Sequence, residues 1–96
     1  MRTGTRIGID VGKSRVGVAR TDSLGLMAVP VVTLPRESAL DELVLLATEY
    51  EPIEFVCGLP LSLDGSETES TRDAREFAAE LAVATGVMVR LVDERL

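Results

Sequence analysis

Apolar residues along the chain fall into runs of two kinds. Short runs, most of them rich in Ile and Val, lie at residues 5–11, 16–21, 27–33, 53–58 and 87–92, separated by glycine, proline or turn-forming pairs. Their length and β-branched content predict strands. Two longer segments instead space their apolar residues for one face of a helix. In residues 38–50 that stripe is Leu40, Leu43, Val44 and Ala47, with Ser38 placed as N-cap and Asp41 three residues on. In residues 70–85 it is Ala74, Phe77, Ala78, Leu81 and Ala82, with Ser70 as cap, Asp73 at N3 and Gly86 ending the helix.

The predicted order is therefore β-β-β-α-β-α-β. The connections "GKSR" and "DSLG" are short enough to be hairpin turns, so the first three strands should form an antiparallel meander. Pro30 marks the third as an edge or bulged strand. The later alternation of helix and strand requires crossovers, hence parallel pairing and helices packed on the sheet. The expectation is an α/β fold with a mixed five-stranded sheet and strand one near its centre. Residues 1–96 read as one domain, without repeats, linkers or low-complexity tracts.

Composition narrows the chemistry more than the fold. The 96 residues are 46% hydrophobic and 27% charged, ordinary for a soluble domain. No apolar run could span a bilayer and the amino terminus lacks a signal-peptide core, so a cytoplasmic protein with no membrane partner is expected. There is no histidine, and Cys57 is the single cysteine, inside the apolar "FVCG". Cys–His and Ser–His nucleophile pairs and histidine-ligated zinc are excluded, and Cys57 reads as a buried structural thiol. The net charge of −6 is uneven. Residues 1–22 carry five basic side chains against two acids, and the remainder five against fourteen. Net charge thus neither supports nor excludes a nucleic-acid partner.

One residue breaks the apolar pattern of the first strand: Asp10, in "RIGIDVGKSRVGVARTD". An unpaired buried carboxylate is costly, so it should be partnered, protonated or bound to a cation. In parallel sheets, ligand sites gather beyond the carboxyl ends of the strands. Asp10, "GLP" at 58–60 and the pair Asp93–Glu94 all fall on that edge. Carboxylates converging there suit Mg²⁺ or Mn²⁺ and hydrolysis of a phosphodiester. The plainer alternatives are a strand aspartate bonded to nearby amides and a solvated pair at a strand end. Lys13 and Arg15, in the first turn, could contact phosphate or serve as surface charges. Asp22 reads as a turn-initiating residue. The polar loop "LSLDGSETEST" is expected to be mobile, with hydroxyls that have no base beside them.

The segments "IGIDVGKSRVGVARTD", "GLPLSLDGSE", "TRDAREFAAEL" and "VDERL" resemble, in order and spacing, the YqgF/RuvX family. Its members are described as candidate Holliday junction resolvases and candidate pre-16S rRNA processing nucleases. The resemblance implies a ribonuclease H-like fold and metal-dependent phosphodiester hydrolysis by clustered acids. It implies Asp10 as the first-strand ligand to Mg²⁺ or Mn²⁺. The second acid would come from Asp93–Glu94, with Glu94 favoured because its longer side chain reaches across an intervening strand. Arg15 and Arg95 would be basic partners, and the substrate a ribosomal RNA precursor or branched DNA. Relatives continue past "DERL" with a helical segment bearing another acid. The expectation is therefore a truncated domain, weakly active or inactive, with an exposed apolar strip that favours a homodimer. Two other classes compete: a nucleotide-binding fold of the actin and sugar-kinase type, which also opens on an aspartate and a glycine turn, and a non-catalytic binding module.

Overall fold

A computed structural model describes residues 4–22 and 27–95. The elements are β1 (Arg6–Val11), β2 (Arg15–Thr21), β3 (Ala28–Pro35), α1 (Arg36–Tyr50), β4 (Glu54–Leu59), α2 (Glu69–Thr85) and β5 (Val89–Asp93). They build one sheet in the order β3-β2-β1-β4-β5, antiparallel through the meander and parallel at β1–β4 and β4–β5. β1 is central, as the pattern predicts. The β1–β2 turn closes with Gly12 N–H donating to Arg15 O at 2.8 Å. A Cβ at Gly12 would stand 2.9 Å from that oxygen, so the turn needs glycine. Pro30 sits on the edge strand, where the β2–β3 register shifts between Val18 and Ala19. Of the predicted turn at 22–25, residues 23–25 lie outside the described residues; Asp22 N–H donates to Met27 O at 3.0 Å.

The two faces of the sheet differ. Ile7, Ile9, Val16, Val18, Leu34, Phe55, Cys57 and Leu59 point to one face. There they meet Ala39 and Leu43 of α1 and Ala74, Phe77, Ala78 and Leu81 of α2 in a continuous core. Both crossovers run over this face, and among the described residues no element covers the other. The uncovered face is floored by small residues, including Gly8, Gly17, Ala19 and Gly58.

Both helix starts differ from expectation. α1 begins at Arg36, directly after β3, with Pro35 at the N-cap and no side-chain cap. Arg36 N–H is taken by Ser14 O at 2.9 Å, so the turn supplies a partner that a capping side chain would otherwise provide. Ser38, the expected cap, bonds Glu42 Oε2 one turn on. α2 starts two residues early: Thr68 is the cap, in a reciprocal box with Thr71. Thr71 is fully buried and its hydroxyl also donates to Pro60 O, and this tertiary contact selects Thr68 over Ser70. Asp73, expected to serve the cap, forms a two-bond fork with Arg36 at 2.7 and 2.8 Å. Arg36 also donates to Gly12 O and lies over the Phe77 ring, so one guanidinium ties the turn to both helices.

At the amino ends of the parallel strands, Glu54 is 7% exposed and lies between two arginines. Arg6 Nε is 2.9 Å from its Oε1 and Arg90 NH2 is 3.2 Å from the same atom. The Arg6 hydrogen bond, opposed by burial and reinforced by Arg90, lowers the Glu54 pKa below the ordinary glutamate value. A carboxyl lowered on folding adds stability above its unfolded pKa, and that stability is lost as pH falls through the folded value. Glu54→Gln should therefore cost about 2 kcal/mol at pH 7. In urea denaturation the gap to the parent should close as pH falls below 4. A gap independent of pH would mean that the ion pairs do not supply it.

Candidate active site on the open face

Strand alternation decides which side chains share the carboxyl edge of the sheet. On β1, Ile7 and Ile9 enter the core, so Gly8 and Asp10 lie on the open face. The chemistry of Asp10 is therefore not that of a buried charge: the residue is exposed, which corrects the expectation drawn from its apolar neighbours. Asp10 is paired with Gly17 of β2, and Gly17 with Thr33 of β3. On its other side, one residue past the Ile9–Cys57 pair, stands Gly58 of β4. Asp10 is flanked across the sheet by two residues that have no side chain.

Glu94 uses that gap. Gly58 pairs with Val92, Leu59 pairs with Asp93, and Glu94 N–H continues the ladder to Leu59 O at 3.1 Å. Alternation then returns Glu94 to the open face. Its side chain passes directly over Gly58, where a Cβ would lie 2.6 Å from Glu94 Cγ and 2.8 Å from Cδ. Beyond the glycine its carboxyl comes close enough to Asp10 for the two groups to act on each other, and both line one groove. Burial first, then the proximity and charge of Asp10, raise the Glu94 pKa above the ordinary value. Two carboxyls sharing one spot in this way favour a proton or a cation between them.

Asp93 is directed elsewhere. Arg95 donates to it from Nε, from NH2 at 2.7 Å and from its backbone N–H. The Arg95 hydrogen bonds lower the Asp93 pKa, against a small effect of burial. Arg95 also donates from NH1 to Leu63 O at 3.0 Å. The structure thus brings Asp10 and Glu94 together and leaves Asp93 and Arg95 paired with each other as a clasp on the 61–67 loop. Lys13 and Arg15 do reach the site's neighbourhood: they line a hollow of about 550 Å³ with Asp10, Gly17 and Thr33. A second groove of about 590 Å³ shares Asp10, Gly17 and Thr33 and continues past Gly58 to Glu94. Cys57 faces the opposite, buried side, and burial, with a lesser push from Glu94 and Asp10, raises its thiol to about 11.

Among the described residues no group of three or more His, Cys, Asp or Glu side chains could hold a metal ion. The carboxylate pair is nonetheless a fit for Mg²⁺ or Mn²⁺, since such ions often take one or two protein carboxylates and fill their remaining positions with water and phosphate oxygens. Gly17 and Thr33 were not singled out from sequence, and Gly58 only as part of "GLP" on this edge. A glycine inside a strand pattern is a signal of close approach, and both "RVGVA" and "FVCGLP" carry it. The 61–67 loop, expected from its composition to be mobile, carries internal hydrogen bonds. Gly65 N–H donates to Ser62 O, Ser66 N–H to Asp64 Oδ1, and Leu61 bridges Glu67. No helix among the described residues is long and apolar enough to cross a membrane.

Residues 4–96 match the family model described as "RuvX: Holliday junction resolvase". A protein of Clavibacter michiganensis subsp. michiganensis named "Putative pre-16S rRNA nuclease" is 52% identical over 100 residues. One of Thermobifida fusca with the same name is 49% identical over 98 residues. Each alignment takes in 100% of this chain and 62% of the relative, so the chain spans about three-fifths of their length. In three dimensions the sheet resembles T. thermophilus RuvC, solved in complex with a Holliday junction substrate. The TM-score is 0.65 at 13% identity, covering 95% of this chain and 64% of that one. The fold is accordingly of the ribonuclease H-like class.

Folding raises the proton affinity of Glu94, so its ionised form opposes folding. That penalty is absent below the unfolded pKa and grows as pH rises toward the folded value. Glu94→Gln should stabilise the chain at pH 7, by less than about 1 kcal/mol because solvent screens an exposed pair, and should have no effect near pH 3. Thermal melts at the two pH values check this; stabilisation at pH 3, or destabilisation at pH 7, would contradict the carboxyl contact. Gly58→Ala should fold, since the clash is with a flexible side chain, but should push Glu94 aside. The carboxyl resonance of Glu94, followed by NMR titration, should then move down toward the ordinary glutamate pKa.

Proposed function

The chain belongs to the RuvX family, and from that premise we propose that it is the catalytic core of a metal-dependent nuclease that trims the 5′ end of pre-16S rRNA during ribosome biogenesis. The observation that carries this reading is the contact between Asp10 and Glu94 across Gly58. Two carboxylates without a neutralising base, on an open face floored by glycine, provide negative charge where a phosphodiester backbone could approach closely. Asp10 and Glu94 would hold Mg²⁺ or Mn²⁺, which when bound activates water and offsets charge developing on the scissile phosphate. Lys13 and Arg15 would offset phosphates flanking the cleavage point. Asp93 and Arg95 would act on the loop instead of on the substrate.

The family description favours a second substrate, a Holliday junction. Chemistry at the phosphate is common to RNA and DNA, so the acids and the metal do not choose between them. The shape of the strand that enters the groove would.

The test measures Mn²⁺-dependent cleavage of an RNA spanning the 5′ precursor end of 16S rRNA, beside a four-way DNA junction. Asp10→Asn and Glu94→Gln should each lower the rate at least about 100-fold. Rates unchanged by both substitutions would refute the nuclease reading. Faster cleavage of the junction than of the RNA would transfer the assignment to DNA.

A further inference from the structure

The turn that carries Lys13 and Arg15 is fixed from outside itself. Residues 12–15 are all exposed, so burial does not hold them in place. Their carbonyls at Gly12, Ser14 and Arg15 are nonetheless all engaged. Gly12 N–H closes the turn on Arg15 O at 2.8 Å. The other two bonds both come from Arg36: its backbone N–H donates to Ser14 O at 2.9 Å and its Nη1 to Gly12 O at 3.0 Å. Arg36 is itself held by α2, through the fork to Asp73 at 2.7 and 2.8 Å. It also lies 5.1 Å from the ring centre of Phe77, a core residue. A two-bond guanidinium–carboxylate pair fixes direction as well as distance.

Lys13 borders the hollow that holds Asp10, and also another of about 690 Å³ that lies against Asp73, Glu69 and Glu76. A lysine so placed is drawn toward free carboxylates, but both oxygens of Asp73 are occupied by Arg36. Among the described residues neither Lys13 nor Arg15 forms a salt bridge. We propose that Arg36, locked by Asp73, is a positioning residue that holds the 12–15 turn beside Asp10, so that Lys13 and Arg15 meet the phosphates of a nucleic-acid strand entering that hollow. Neither Arg36 nor Asp73 lines the hollow, so both act through the turn and not on the phosphate. The inference rests on the nuclease reading for its ligand and adds to it the pair that sets where the substrate's backbone is met.

The probe is a fluorescein-labelled RNA hairpin, and its binding to the 96-residue chain is followed by anisotropy in EDTA, where no cleavage intervenes, over about 50 to 200 mM salt. Asp73→Asn separates positioning from charge by sign. It removes a negative charge near Lys13, so charge alone would tighten binding, whereas loss of the fork should weaken it about threefold. Arg36→Met should weaken binding about tenfold and flatten the slope of log Kd on log salt by about 1.5, the value of two phosphate contacts. The pair Lys13→Met and Arg15→Met should have at least that effect, and Arg36→Met added to the pair should cost nothing further. Tighter binding by Asp73→Asn would overturn the proposal. So would an additive loss in the triple variant, or weaker binding with an unchanged salt slope, which is the pattern of a partly unfolded chain. The nuclease reading would survive each of these results. Failure of the parent to bind the hairpin would overturn the positioning role and the nucleic-acid reading together.

Discussion

The contact of two carboxyls across a residue with no side chain organises this molecule. Glu94 reaches Asp10 only because Gly58 lies between them, and Gly58 lies there only because β4 is inserted between β1 and β5. With one strand between the acids, a larger residue at 58 would obstruct the path. Burial first and then the nearness of Asp10 hold Glu94 above its ordinary pKa, so its ionised form is unfavourable to the folded chain.

The rest of the open face shows the contrast. At the amino end of the same strands, Glu54 is matched by Arg6 and Arg90, a compensated cluster that links β1, β4 and β5. At the carboxyl end, Asp10 and Glu94 face each other across glycine, and among the described residues no salt bridge to a basic side chain is formed by either. Both ends present acids to the same surface, but one set is closed on itself and the other is available. The helices are confined to the opposite face, where Cys57 and Phe55 complete the core. The apolar core and the carboxyl pair thereby lie on different sides of one sheet.

Neighbouring residues in "VDERL" divide their tasks through the same geometry. Asp93 belongs to the last paired position of β5, and its carboxylate closes on Arg95. Glu94, one residue on, is turned to the other face. Arg95 in turn holds the 61–67 loop by the Leu63 carbonyl, so the segment that bears Glu94 also fixes the loop beside it.

Much of the architecture was legible in the residues themselves. Apolar periodicity separates strands from helices, short turns dictate the meander, and alternation dictates the crossovers. These follow because local sterics and burial act over a few residues. The placing of Asp10 and the 93–94 pair at one edge was legible too, because both close strands of a parallel set. Tertiary structure alone decided the rest. It showed that Asp10 is exposed, because which face the helices cover is not a local property. It chose Thr68 over Ser70 as the α2 cap, since Thr71 finds Pro60 through space. It also separated Glu94 from Asp93, because the direction of a side chain at a strand's end depends on register with β4, and on a glycine there, more than thirty residues away.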